Sequence, residues 1–185
     1  MQRGCFYVVV RDMPTGYVSI LGVRADDGTL IPAVDAAASG IINPSNVVHP
    51  SWLPSDELPL GGNNFTNLGR KYLAYLFGGR TPMSNYVCTS FGAGTGDTKA
   101  SVSDVSLVSP VLLGSTNLKA VDSITFPEDY VAFIQFTIGS GEANGYLLRE
   151  FGLFSGDGTL LARKTGYNLN KVSGYAPVLH WRIKC

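Results

Sequence analysis

The chain of 185 residues is rich in hydrophobic residues (45%) and poor in charged ones (15%), whereas an average soluble protein has about 25% charged residues. Lysine plus arginine and aspartate plus glutamate number 14 each, so the chain lacks the positive excess that typifies nucleic-acid binding. Its apolar runs are strand-sized, far short of the ~18 residues of a membrane span. The length favours one domain, 1–185. The balanced charge and the short apolar runs indicate that neither nucleic acid nor a membrane is its partner.

The N-terminal region 1–34 is predicted to be a β-meander. Short apolar runs at 5–10, 16–23 and 30–34 alternate with polar residues, and the last two flank the turn 25–28, which ends in Asp-Gly. Asp-Gly tolerates the positive φ of a tight hairpin. The first dozen residues lack the basic and apolar regions of a signal peptide, so export by that route is not expected.

The region 35–64 is predicted to be an extended, proline-rich arm. Prolines remove backbone donors and disfavour regular structure, and long structureless connections in compact domains tend to be functional or to be ordered by a partner. The arm is therefore a candidate interface with a neighbouring protein. The alternative is a loop that packs on its own domain through apolar residues such as Val47 and Val48. The candidate interface residues are Pro44, Pro50, Trp52, Pro54 and Pro59.

The region 65–185 is predicted to form the core, a helix followed by an antiparallel β-sandwich-like domain. The helix spans about 68–77, because apolar residues recur there at spacings of three and four, Thr66 or Asn67 can cap it, and Gly78-Gly79 can end it. Further strands are expected at 85–90, 107–113, 124–126, 130–138, 146–154, 159–164 and 178–183. The fold class is thus mainly β with one short helix.

Strands 130–138, 146–154 and 159–164 are expected to be three consecutive antiparallel neighbours. Glu150 stands inside the second, otherwise apolar, strand, and we expect its carboxylate to accept backbone N–H bonds from a neighbouring loop, while Arg149 faces solvent. Gly152 and Gly158 are further candidate structural residues, the latter in the turn 155–158. Strict alternation in the last strand predicts a buried face and a solvent-exposed face. The buried face is expected to carry Leu179, Trp181 and Ile183, and the exposed face His180, Arg182 and Lys184.

The sequence offers no constellation for catalysis. The glycine-rich loop 92–96 departs from the spacing of phosphate-binding loops and is expected to be a turn that needs positive φ. Cys88 is interpreted as a buried small hydrophobe rather than a nucleophile. Cys185 is a candidate thiol for an intermolecular disulfide. No catalytic residue, cofactor or metal ligand is predicted.

Three motifs together resemble those of tailed-bacteriophage virion proteins of the tail, neck or fibre type. Thr66-Asn67-Leu68-Gly69 resembles their T-N-x-G helix start, and Gly92-Ala93-Gly94-Thr95 their G-x-G-T loop. The most specific element is E-x-G-L-F followed by D-G-x-L-x-A-R, which here runs from Glu150 to Arg163. The middle D-T-x-L segment is matched only loosely by 104–107, and the first 64 residues carry no match.

The resemblance implies a structural, non-enzymatic subunit of the virion that forms a homo-oligomer and contacts other virion proteins. The low charge agrees, because it predicts that part of the surface is covered in an assembly. One alternative is a host-recognition module of a tail fibre that binds surface glycans through Trp52, Tyr167 and Tyr175. A cell-wall or capsule hydrolase is a third, for which no pair of carboxylates can be identified.

Overall fold

The computed structural model describes residues 15–25, 29–39, 58–128 and 131–184. The apolar run 5–10, four of the candidate interface residues (Pro44, Pro50, Trp52 and Pro54) and Cys185 lie outside the described residues. The strands are β1 Thr15–Ala25, β2 Leu30–Pro32, β3 Leu58–Phe65, β4 Cys88–Gly94, β5 Lys119–Ala120, β6 Ser123–Glu128, β7 Val131–Thr137, β8 Leu147–Ser155, β9 Leu160–Asn170 and β10 Tyr175–Lys184. The helices are α1 Ala33–Ala38, α2 Asn67–Phe77 and a 3-10 turn at Met83–Asn85.

All strand pairs are antiparallel, and the strands follow the order β5-β4-β8-β9-β3-β1-β10-β7-β6, with β2 beside β1. The two halves of this sheet face each other, as ring contacts across the core show. Phe136 of β7 lies 4.4 Å from Phe91 of β4, 6.3 Å from Phe151 of β8 and 6.5 Å from Trp181 of β10, between ring centroids. The predicted mainly β, antiparallel fold with a short helix is confirmed.

Helix α2 matches the prediction of a helix over about 68–77. Thr66 caps it, since the Thr66 hydroxyl accepts the Gly69 N–H at 2.9 Å and donates to Leu160 O at 2.7 Å. A Cβ on Gly69 would lie 2.1 Å from Leu161 O, so only glycine lets the helix rest this closely on β9. Gly79, with φ +64°, follows the end of the helix.

The regular structure extends further into region 35–64 than predicted. Helix α1 reaches Ala38 and β3 begins at Leu58, so the ends of the predicted arm are not extended connection. The alanines of α1 favour helix, and β3 is ordered by its pairing with β1 and β9, which local composition does not reveal. Pro59 lies opposite Ser19, next to a register shift in the pairing of β1 and β3, a place where a missing N–H is tolerated.

Of the three strands 130–138, 146–154 and 159–164 expected to be consecutive neighbours, the last two pair as predicted, as β8 and β9, but the first, β7, does not pair with β8. Strand β8 pairs with β9 and β4, whereas β7 pairs with β10 and β6, so the loop 139–145 crosses from one half of the sandwich to the other. Lys171, which is buried, donates from Nζ to Ser140 O at 3.2 Å and to Asn144 Oδ1 at 2.7 Å and so holds this crossing.

The prediction that one face of the last strand is exposed to solvent is also partly wrong. Leu179 and Trp181 are fully buried as predicted, but Arg182 is only 2% exposed. The Arg182 guanidinium lies over the ring of Phe133, 4.2 Å from its centroid, a contact that keeps the charge next to an aromatic face. His180 is half-buried, with Nε2 3.0 Å from Gln135 Oε1.

Candidate functional site

The Glu150 carboxylate on β8 is completely buried and fully hydrogen-bonded. Its Oε1 accepts the N–H groups of Ser109 at 2.7 Å and Gly96 at 3.3 Å, and its Oε2 accepts the Val108 N–H at 3.1 Å. The backbone hydrogen bonds expected from the sequence are therefore present. All three donors lie in the segment 95–118 that joins β4 to β5, here called the clamped loop.

Arg163 of β9 balances this carboxylate and adds a second tie to the clamped loop. The buried guanidinium donates from Nε to Glu150 Oε2 at 2.9 Å, from Nη1 to Asp104 Oδ2 at 2.7 Å and from Nη2 to Thr98 O at 3.2 Å. Because both buried charges are paired and hydrogen-bonded, the cost of burying them is offset. Ala100 N–H also donates to Thr165 Oγ1 at 3.1 Å, so two strands anchor the loop.

The glycines of the 92–96 segment are required by close approach, which corrects the expected reason. None of them has positive φ. A Cβ on Gly94 would lie 2.5 Å from both Glu150 Oε1 and Ser109 O, and one on Gly96 would lie 2.6 Å from Glu150 Oε1. The missing side chains therefore leave the space that the buried carboxylate occupies.

Gly152 and Gly158 have separate structural reasons. A Cβ on Gly152 would lie 2.8 Å from Leu160 and 3.0 Å from Leu107, so its absence lets Leu107 of the clamped loop pack on the sheet. Gly158, with φ +82°, closes the turn between β8 and β9. Leu107, Leu160 and Phe154 form a small buried cluster on this outer face.

The clamped loop presents aliphatic side chains to the outside. The segment 107–113, expected to be a strand, makes only isolated bridges, at Pro110 and Leu113, because Glu150 takes the N–H groups of Val108 and Ser109. Leu107, Val111 and Leu113 point inward and are buried. Four apolar side chains in the same loop are exposed by 38 to 68%: Val102, Val105, Val108 and Leu112.

No family model, curated protein or solved structure matches the chain. The function must therefore be argued from the residues and their geometry.

The residues of the T-N-x-G, G-x-G-T and E-x-G-L-F motifs meet in one place. The G-x-G-T loop surrounds the carboxylate that begins the E-x-G-L-F element, and the arginine that ends this element binds the same carboxylate. The T-N-x-G helix start packs on the strand that carries this arginine. One structural unit accounts for the spacing of all three motifs.

The turn between β8 and β9 is tied to α2 as well. The Asp157 carboxylate accepts hydrogen bonds from the Tyr72 hydroxyl at 2.6 Å, the Ser155 hydroxyl at 2.7 Å and the Thr159 N–H at 3.1 Å. Desolvation raises the pKa of Asp157, but these hydrogen bonds outweigh it and lower the pKa to about 2. The ionised carboxylate therefore holds the helix against the hairpin.

A second surface feature is an apolar groove at the open end of the sandwich, here called the α2 groove. It has a volume of about 320 Å³. Its walls include Leu73 and Leu76 of α2, Cys88 of β4, Phe126 of β6, Ile134 of β7 and Ile183 of β10. Phe126 is 74% exposed, so the groove opens beside the edge strand β6.

Other candidates from the sequence carry no such arrangement. Burial raises the pKa of the Cys88 thiol to about 12, which leaves it protonated at neutral pH. Arg149 pairs with Asp97 at 3.0 Å, both partly exposed. Of the aromatics considered for sugar stacking, Tyr175 is half-buried against the core, and the side chains of Trp52 and Tyr167 are outside the described part.

Two searches over the described residues were negative. They contain no group of three or more histidine, cysteine, aspartate or glutamate side chains suited to a metal ion. Across the same ranges, the helices are all too short or too polar to cross a membrane.

Proposed function

We propose that this protein is a structural subunit of a bacteriophage particle, in the neck, collar, tail or baseplate, and that it acts through protein–protein contacts. The observation that carries the proposal is the clamped loop. A buried ion pair and three backbone hydrogen bonds hold a loop that exposes four aliphatic side chains among its polar ones. Single apolar side chains on a surface are common, but these four are held in fixed positions, which suits them to a protein–protein contact.

The energetic logic favours a contact surface over a mobile loop. Val105 and Leu112 are 68% and 58% exposed, and burying one such side chain contributes about 1.5–3 kcal/mol. A loop already ordered by Glu150 and Arg163 loses little further conformational freedom on binding, so more of this contribution remains as affinity. The low overall charge and the resemblance of the three motifs support the same function.

The contact surface can be tested by self-association. We expect the purified chain to form an oligomer of defined mass by light scattering, because repeated subunit contacts build symmetric rings. Val105→Asp or Leu112→Asp should weaken this association at least tenfold. Val172→Asp, the same change at a residue 37% exposed in the β9–β10 connection, is the matched control and should leave the mass unchanged.

Two results would count against this surface. A chain that stays monomeric over the whole concentration range would contradict the homo-oligomer. An oligomer that survives both loop variants, with folding verified by circular dichroism, would move the interface away from the clamped loop.

A further inference from the structure

We propose that the α2 groove is the docking site of residues 5–10 of the same chain. This six-residue run, Cys-Phe-Tyr-Val-Val-Val, is as apolar as the groove and long enough to cross it as one strand. The docked segment would complete the open end of the sandwich, bury Phe126 and cover the half-buried Ile183.

The starting point of the described chain favours this occupant. Strand β1 begins at Thr15, opposite Lys184, and Gly16 lies opposite Ile183, whose side chain lines the groove. The described chain therefore begins directly beside the groove. The proposed segment need not cross the core to reach it.

The reach of the linker is also sufficient. The pairing continues from Lys184 to Val131 and from Val131 to Glu128, so β6 lies three strands from β1, about 14 Å at the usual spacing of about 4.8 Å. Residues 11–14 span about 14 Å when extended. Residues 5–10 can thus lie anywhere between Ile183 and Phe126.

The chemistry of the walls selects an apolar occupant. Apart from the Tyr86 hydroxyl and the Cys88 thiol, the side chains of the described residues that line the groove are aliphatic or phenylalanine, or are absent at Gly69. Docking would remove apolar surface from water without burying a charge, because Arg11 and Asp12 belong to the linker. The edge of β6 would gain a neighbour as well.

Protection of Cys88 measures whether the groove is covered. In the full-length chain with Cys5→Ser and Cys185→Ser, Cys88 is the only thiol, and its alkylation rate at pH 9 reports access to the groove. We expect Phe6→Asp/Val8→Asp or Tyr7→Asp/Val9→Asp to raise this rate at least tenfold, since the two pairs lie on opposite faces of a strand. Val47→Asp/Val48→Asp is the matched control and should leave it unchanged.

The outcomes of this experiment distinguish the segments that could cover the α2 groove. An unchanged alkylation rate of Cys88 in both N-terminal variants overturns the proposal. A higher rate in the Val47/Val48 variant assigns the groove to the predicted arm, 35–64, instead. Protection that falls on dilution assigns it to the N-terminal segment of another copy, which also overturns docking within one chain. None of these results depends on the clamped loop, so the proposed function stands or falls separately.

A cross-link provides a readout that needs no disruptive substitution. In the full-length chain with Cys88→Ser and Cys185→Ser, Cys5 is paired with V87C at the groove edge or, as the control, with V105C in the clamped loop. These positions are 41% and 68% exposed. Mild oxidation by copper phenanthroline should form the intrachain disulfide at least tenfold faster with V87C. Equal rates would overturn the proposal.

Discussion

Glu150→Gln removes one negative charge and one acceptor from the buried centre that holds the clamped loop. Gln has the same shape, so packing is kept, but its amide nitrogen must replace either Oε1 or Oε2. At Oε1 it faces the N–H groups of Gly96 and Ser109, and at Oε2 it faces Val108 N–H and the Arg163 guanidinium. In either orientation the glutamine amide N–H groups face other N–H donors, so hydrogen bonds are lost. The neutral amide also no longer balances the positive charge of Arg163.

The magnitude follows from these partners. Breaking a buried ion pair by removing one partner costs about 3–5 kcal/mol, and hydrogen bonds to a charged group contribute about 1.5–3 kcal/mol each. Since these effects overlap, we expect the free energy of unfolding to fall by about 3–5 kcal/mol, a large part of the 5–15 kcal/mol typical of a domain. Glu142→Gln is the matched control, because Glu142 pairs with Lys119 at a partly exposed site.

The assay is urea unfolding followed by tryptophan fluorescence, with Trp181 fully buried as the reporter. Native-state hydrogen exchange of Gly96, Val108 and Ser109 then separates loosening of the clamped loop from global loss of stability. We expect these three amides to exchange faster in Glu150→Gln than the stability loss alone explains. A loss below about 1 kcal/mol, or equal losses in the Glu142→Gln control, would refute the reasoning.

Two further predictions concern close approach and acid. Gly94→Ala places a Cβ 2.5 Å from Ser109 O and should lower the free energy of unfolding by about 1–3 kcal/mol. Gly141→Ala is the control, because Gly141 has open space around it, and it should change this free energy by less than about 0.5 kcal/mol. Equal effects of the two substitutions in urea unfolding would contradict the role of close approach. The pKa of Asp157 is about 2 in the folded chain and 3.8 ordinarily, so its stabilisation is complete above about pH 4 and is lost as the pH falls towards 2. The stability difference between the wild type and Tyr72→Phe should therefore shrink over that range, and a constant difference would contradict the role of the tyrosine.

Local features of the fold could be read from the sequence because their causes are local. Helix α2 follows from a capping threonine and from apolar residues at three- and four-residue spacing. The acceptor role of Glu150 follows from a carboxylate inside an apolar strand, which must find donors when it is buried. The Asp-Gly turn at 157–158 likewise reports its own positive φ.

Features that depend on distant partners could not be read in this way. The loop 139–145 can join either two neighbours in one sheet or two strands of opposite halves, and only the packing of the core decides. Gly94 and Gly96 are explained by a carboxylate more than 50 residues away. Arg182 is buried because Phe133 offers it an aromatic face across the sheet, which alternation along one strand does not reveal.

The clamped loop was missed as a site for the same reason. Exposed valines in a polar stretch are unremarkable in sequence, since single apolar residues on a surface are common. These valines are singled out because the buried Glu150–Arg163 pair fixes the loop that carries them. A signal was present in the sequence, because Glu150 stands inside an apolar strand and, when buried, needs partners such as Arg163.

The most direct test of the structural role is to ask where the protein resides. Particles purified by density gradient from phage-producing cells that express this chain would be analysed by quantitative mass spectrometry and by immunogold electron microscopy. We expect the chain to co-purify in constant ratio to other virion proteins and to be labelled at one fixed place on the particle. A chain that stays in the soluble fraction, with unlabelled particles, would contradict the proposed role.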